Sequence, residues 1–391
     1  MTDRTLFYNF NLFDGTEKGL EKDAWFITEN GKITDRGTNE VASSFEGEKV
    51  NLANKYVMPG LINCHIHMSM DPEDMSGSQH SIVYTTKKTI DNLHELLRAG
   101  VTYVRDLGCA DDVDIELKKL LDSGELTGPG AVVSSTPLVM TGGHVYQLGK
   151  EVDGSDEVRK GARELLKKGV GCVKFMATGG VMTPGEKPAD VQLSEEELRA
   201  GIEETHKKGR ITAAHAQGTE GIKNALRAGI DSVEHGIYLD EEAIELFLKN
   251  DAYLVPTLAA PYFIVKEGVE HGIPQFMVDK SKEMIEAHMK SFNLAVKAGV
   301  KVAMGTDAGT PFNAFKDTPV ELELMVEAGM TAEQALVAST KNASELLQIS
   351  NEYGTLEVGK YADFLVLENN PLEDVKVLQG DKDVYKKGRK F

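Results

Sequence analysis

Short apolar runs alternate with amphipathic stretches over residues 57–351, and β-rich segments flank them. Together they predict an α/β protein, a (β/α)8 TIM barrel carrying a small β-sandwich built from both chain termini. Eight candidate strands can be counted in the middle region, and helix-like stretches separate most of them. A doubly wound open sheet would instead place a glycine-rich phosphate loop after the first strand, where this chain reads "NCHIHMSMDPED".

The elements follow in order. In residues 1–56, "TLFYNFNLFDG" is apolar and aromatic with partial alternation. "DAWFITENGKITDRG" sets Asn30-Gly31, a type I′ hairpin signal, between two strand-like runs. Residues 352–391 have the same character, with turn signals around a strand at 363–367. Residues 1–56 and 352–391 are therefore expected to form one small domain, and 57–351 the barrel. The barrel strands are read in "YVMPGLINCHIHM", "VTYVRDLG", "AVVSSTPLVM", "CVKFMATGG", "ITAAHAQG", "SVEHG", "YLVPTLA" and "KVAMGTDAG". The clearest helices, "DEVRKGARELLKKG" and "SEEELRAGIEETHKKG", each end in Lys-Lys-Gly, which suits the negative end of the helix dipole. Ser194 and Glu197 form a capping-box pattern. The Gly/Pro-rich stretches 135–149 and 176–190 follow strands and read as active-site loops.

Bulk composition narrows the function. Of 391 residues, 41% are hydrophobic and 27% charged, ordinary values for a globular chain with a sizeable core. A net charge of −19 and a pI near 5.0 argue against nucleic acid or an anionic membrane as partner. Three scattered cysteines, Cys64, Cys109 and Cys172, offer neither a disulfide framework nor a cysteine zinc motif. No basic-then-apolar leader and no 18-residue apolar run is readable, so a cytoplasmic enzyme acting on small molecules is expected.

The chemistry gathers at the strand ends. His65 and His67 end the first strand, and residues i and i+2 of a strand share a side. Both imidazoles would face the barrel interior within reach of one metal ion, with Cys64 and Ile66 turned towards the helices. Lys174 lies in the fourth strand, while His215, His235 and Asp307 end the fifth, sixth and eighth. Singly, each has an ordinary reading as a half-buried histidine or a helix cap. Six at the C-terminal end of five strands, where barrel enzymes do their chemistry, point to a metal site. A lysine buried among cations loses its proton. Its free amine can take up CO2, and the resulting carbamate has two oxygens able to bridge two metals. A Schiff-base lysine is the rival, but it needs no four-histidine cage. Imidazole with carboxylate suits zinc.

These residues carry a resemblance. The run Pro59 to His67, then Lys174, His215, His235 and "GTDAGTP" with Asp307, resembles the binuclear metal-dependent amidohydrolase superfamily over nearly the whole chain. "VTYVRDLG", "MTGGH", "VKFMATGG", "AAHAQG" and "SVEHGIYLD" resemble its prolidase-like cluster, which lies near imidazolonepropionase and includes dipeptidases and related carboxypeptidases. The resemblance implies two divalent ions. His65, His67 and Asp307 would hold one, His215 and His235 the other, with carboxylated Lys174 bridging. It implies attack of a bridging hydroxide on an amide, with Asp307 as proton shuttle. His144 becomes the candidate hydrogen-bond donor to the oxyanion, and Tyr238 a candidate contact for a substrate carboxylate. A dipeptide or N-acyl amino acid is the expected substrate. A cyclic-amide hydrolase or deaminase on the same scaffold is the alternative. A non-catalytic scaffold would be expected to lose ligand positions, and all six are filled here.

The remaining histidines, His80, His94, His206, His271 and His288, read as non-ligands. Cys172 reads as barrel core, and Arg105 and Asp106 as an ion pair or loop brace. The long segment after the seventh strand, residues 260–285, reads either as a lid or as a contact between copies in a homo-oligomer.

Overall fold

A computed structural model describes residues 4–39, 45–74 and 80–391. The chain forms a TIM barrel and a terminal β-sandwich whose sheet draws strands from both ends of the sequence. Each predicted barrel strand contains a strand: Leu61–Ile66, Val101–Asp106, Gly130–Val132 with Leu138–Val139, Cys172–Met176, Ile211–Ala216, Ser232–His235, Tyr253–Val255 and Lys301–Val302. Neighbours pair in parallel. The ring closes where the last strand meets the first, through Cys64 N–H to Met304 O at 2.8 Å and a bridge between Ile66 and Ala308. The third strand is broken. Ser135 takes a positive φ of 56° and Pro137 has no N–H to donate, so its first half pairs backwards and its second half forwards.

The terminal sheet runs from Lys32–Thr38 at one edge to Arg389–Lys390 at the other and packs Phe7, Phe10, Phe26 and Phe364 edge to face or tilted, ring centroids 5.1–5.3 Å apart. Its predicted hairpin forms, with Asn30 and Gly31 at φ 52° and 79° between paired Glu29 and Lys32. The helices Gly154–Lys168 and Glu195–His206 also form, the first ending on Gly169 in the left-handed region and the second carrying the Ser194–Glu197 capping box.

Two details differ from the sequence reading. "YVMPGLINCHIHM" is not one strand. Tyr56–Pro59 pairs antiparallel with Phe364–Leu367 in the terminal sheet, and only Leu61–Ile66 enters the barrel. The chain changes layer at Gly60, where a Cβ would lie 2.3 Å from the Thr102 side chain. Residues 57–59 thus belong to the terminal sheet. Cys64 also faces the barrel interior, where its Sγ reaches Ala343 O of the helix Lys341–Leu346. It packs with Cys172, Ala213, Val255 and Ala303, whereas Ile66 packs on the helix side as expected. The cause is a register irregularity between Asn63 and Ile66, which breaks the strict alternation just before the histidines.

Candidate active site

The C-terminal ends of the strands bring His65, His67, Lys174, His215, His235 and Asp307 around one cavity. Ligand atoms of His65, His235 and Asp307 all lie within 4.8 Å of one another. The His65 and His235 ring centroids are 5.2 Å apart, and those of His215 and His235 4.6 Å.

Each imidazole is held by one nitrogen, which decides what the other offers. His67 Nδ1 donates to Gly108 O at 3.2 Å, and His215 Nε2 donates to Gly179 O at 3.0 Å. A carbonyl only accepts, so these nitrogens carry the proton and His67 Nε2 and His215 Nδ1 present lone pairs. His65 Nδ1 donates to the Glu234 carboxylate at 2.8 Å, and His235 Nδ1 meets Thr257 Oγ1 at 2.7 Å. This is the arrangement that orients metal-ligating histidines. His65 Nε2 and His67 Nε2 then both point at Asp307 Oδ1, from 3.2 and 3.0 Å. Lone pairs converging on a carboxylate repel unless a cation sits between them, so the donor set fits a divalent ion. Burial supports neutral imidazoles. It lowers the pKa of His215, with His144 next, and of His235, with His215 next, well below the usual histidine range.

His235 reaches the site by a local twist. Pairing sets His215 opposite Glu234 and Met176 opposite His215, so strand parity turns Glu234 inward and His235 outward. A positive φ of 73° swings His235 back towards the cavity. Glu234 lies beneath the cluster. Burial opposes its charge, but Arg105, then His65, outweigh it and hold the carboxyl near 2. Arg105 is itself wholly buried, donating to Cys64 O, Ser232 Oγ and Glu234 Oε1 at 2.6–2.9 Å. Asp106 braces the loop after the first strand by accepting Met68 N–H at 2.6 Å. Lys174 is buried, and among the described residues its ammonium has no hydrogen-bond or ion-pair partner. Burial pushes its pKa down to about 8.

His144 stacks on His215 with ring centroids 4.3 Å apart, and its Nδ1 is hydrogen-bonded to Glu186. Gly180 makes room for it, since a Cβ there would stand 2.4 Å from the ring. Tyr238 does not line the cavity. Its half-buried side chain packs against the apolar cluster, with Ile237 and Met284, that forms part of the cavity wall. Glu234, Thr257, Glu186 and Gln192 were not singled out from the sequence. Glu234 was within reach of it, because a period-2 reading of "SVEHG" puts Ser232 and Glu234 on the inner face.

His288 is buried at the cavity wall and donates Nε2–H to His235 O at 3.0 Å. Burial pushes its pKa down to about 4. Between the unfolded value near 6.5 and about 4, the unfolded chain binds a proton that the folded chain refuses. Stability is therefore lost as pH falls through that window, by about 3 kcal/mol in total. His288→Gln, which keeps an N–H donor, is expected to flatten that decline, as measured by denaturant unfolding of metal-loaded protein at pH 7 and 4.5.

A parallel barrel with a terminal β-sandwich and an imidazole–carboxylate cluster at its C-terminal rim defines a class of metal-using hydrolases. The chain belongs to the amidohydrolase family, whose model matches residues 56–389, and is a hydrolase acting on carbon–nitrogen bonds. It is similar to ochratoxinase of Aspergillus niger, with 32% identity over 402 residues, covering 89% of this chain and 80% of the relative. Among solved structures it is similar to a Xaa-Pro dipeptidase with methionine bound in the active site (TM-score 0.93, 29% identity, 99% of each chain). It is also similar to a prolidase complexed with N-methylphosphonate-L-proline (TM-score 0.91, 29% identity, 99% of each chain). The family generally uses divalent metals, in keeping with the donor set here.

Proposed function

We propose that the protein is a two-metal hydrolase cleaving the amide bond of a dipeptide or N-acyl amino acid. The orientation of the four imidazoles carries the reading, because each is held at one nitrogen and turned into the cavity at the other. His65, His67 and Asp307 would hold one ion, His215 and His235 the second, and carboxylated Lys174 would bridge. Zinc suits this donor set. Such ions, when bound, supply a water nucleophile near neutral pH and polarise a carbonyl.

The chain's own residues do the rest. Asp307 turns Oδ1 to both histidines and leaves Oδ2 without a partner among the described residues. It takes the proton of the attacking water and delivers it to the leaving amine. His144, held through Nδ1 by Glu186, is the hydrogen-bond donor to the carbonyl oxygen as that oxygen gains charge.

Glu186 is placed to orient that donor. It also accepts Gly180 N–H at 3.0 Å and Gln192 Nε2–H at 3.1 Å, and Gln192 in turn accepts His144 N–H at 2.9 Å. Glu186→Gln is expected to lower kcat about tenfold with KM nearly unchanged, and Glu186→Ala to lower it further. Steady-state kinetics on one substrate checks both.

Hydrolysis assays with zinc-loaded protein test the whole reading. Cleavage of dipeptides or N-acyl amino acids is expected. Conversion of only cyclic ureides or aminated heterocycles would favour the deaminase-like alternative. Protein that binds no divalent ion would favour a scaffold.

A further inference from the structure

A cavity lies over the metal-ligand cluster at the C-terminal ends of the strands. Its floor is polar and its wall is apolar, with Met176, Val181, Ile237, Ile264 and Met284 facing in from four segments. Apart from Lys174 and Asp307 on the floor, no Lys, Arg, Asp or Glu lines it among the described residues. Two charged side chains on flanking elements are already engaged elsewhere. Lys280 Nζ donates to Gly180 O and Thr183 O at 3.0 and 3.1 Å, and Glu186 is held by His144, Gly180 and Gln192.

We infer that this cavity recognises an uncharged, apolar group of the substrate and excludes charged ones. The inference rests on the amide-hydrolase reading and names the class of substrate. A Lys, Arg or Glu side chain entering the wall region would shed its water and meet no counter-charge, which costs far more than an apolar group gains. An apolar group is instead favoured in proportion to the area it buries. The methionines set the breadth of recognition. Met176 and Met284 are unbranched and polarizable, so the wall adapts to different apolar shapes. A substrate carboxylate, where there is one, is left to the polar floor.

The segment after the seventh strand is the specificity element. Ile264 lies on the helix Ala259–Glu267 and Met284 on the helix Gln275–Ala298. Lys280, one turn before Met284, ties the second helix to the 180–183 loop, whose Val181 and Met182 also line the cavity. The wall is thus held in place rather than left as an open surface.

The test measures kcat/KM for zinc-loaded protein on Gly-X, X-Gly and N-acetyl-X, with X as Leu, Met, Phe, Lys, Arg or Glu. At one of the two positions the apolar members are expected to exceed the charged ones by about 100-fold. Equal values at both positions would overturn the inference. Calorimetric binding of the same compounds to Asp307→Asn protein reads recognition without turnover. Tighter binding of apolar members, with none cleaved by wild type, would sink the dipeptide and N-acyl amino acid reading and leave the recognition standing. Equal binding would overturn the recognition itself. Met284→Glu is expected to shift the preference ratio about tenfold towards Lys or Arg. An unchanged ratio in folded variant protein would count against this wall as the determinant.

Discussion

Asp307→Asn is expected to lower kcat by about 1000-fold or more while leaving the chain folded. The expectation combines backbone and charge. Asp307 sits at φ 61°, in the left-handed region that Asn tolerates nearly as well as Asp. An amide in its place can donate N–H to the lone pairs of His65 and His67, so the metal-free variant should melt at or above the wild-type temperature. It cannot take up a proton from water and pass it to an amine. Activity, thermal unfolding and metal content measured together separate these effects. Near-normal turnover would end the proton-shuttle role.

Replacing Lys174 is expected to separate stability from activity. Lys174 is buried and has no hydrogen-bond or ion-pair partner among the described residues, and burial has already pushed it down to about 8. Lys174→Met keeps an unbranched chain one atom shorter and removes the charge that burial penalises, so the metal-free variant should be at least as stable as wild type. The same change removes the candidate bridge between two ions. Activity should fall by about 1000-fold or more, and one of two bound ions should be lost. Lys174→Ala should behave alike in activity, with partial recovery when a short carboxylic acid fills the vacated space. Two ions retained in either variant would count against the bridging role.

Much of this was legible because strand ends are legible. Apolar runs set the strands, and the C-terminal rim is common to every strand of a parallel barrel. His65, His67, Lys174, His215, His235 and Asp307 could therefore be collected without knowing any distance, and the structure brings them to one cavity. The supporting residues were not collected, because their partners lie far away in the chain. Glu234 meets His65 across 169 positions, Glu186 meets His144 across 42, and Thr257 meets His235 across 22. Local periodicity contains no term for such pairs.

Periodicity also failed where the backbone departs from it. Alternation placed Cys64 with Ile66, but an irregular register before His65 turned Cys64 inward. Alternation would have turned His235 outward, but a positive φ returned it. The sequence alone determined the barrel, the two-ended sheet and the chemical types gathered at the rim, since these follow from hydrophobic period and residue order. Only the tertiary structure decided which nitrogen each histidine offers, which carboxylate stands beneath the cluster and which apolar side chains form the wall. Those choices depend on contacts between segments far apart in the chain, and no single segment encodes them.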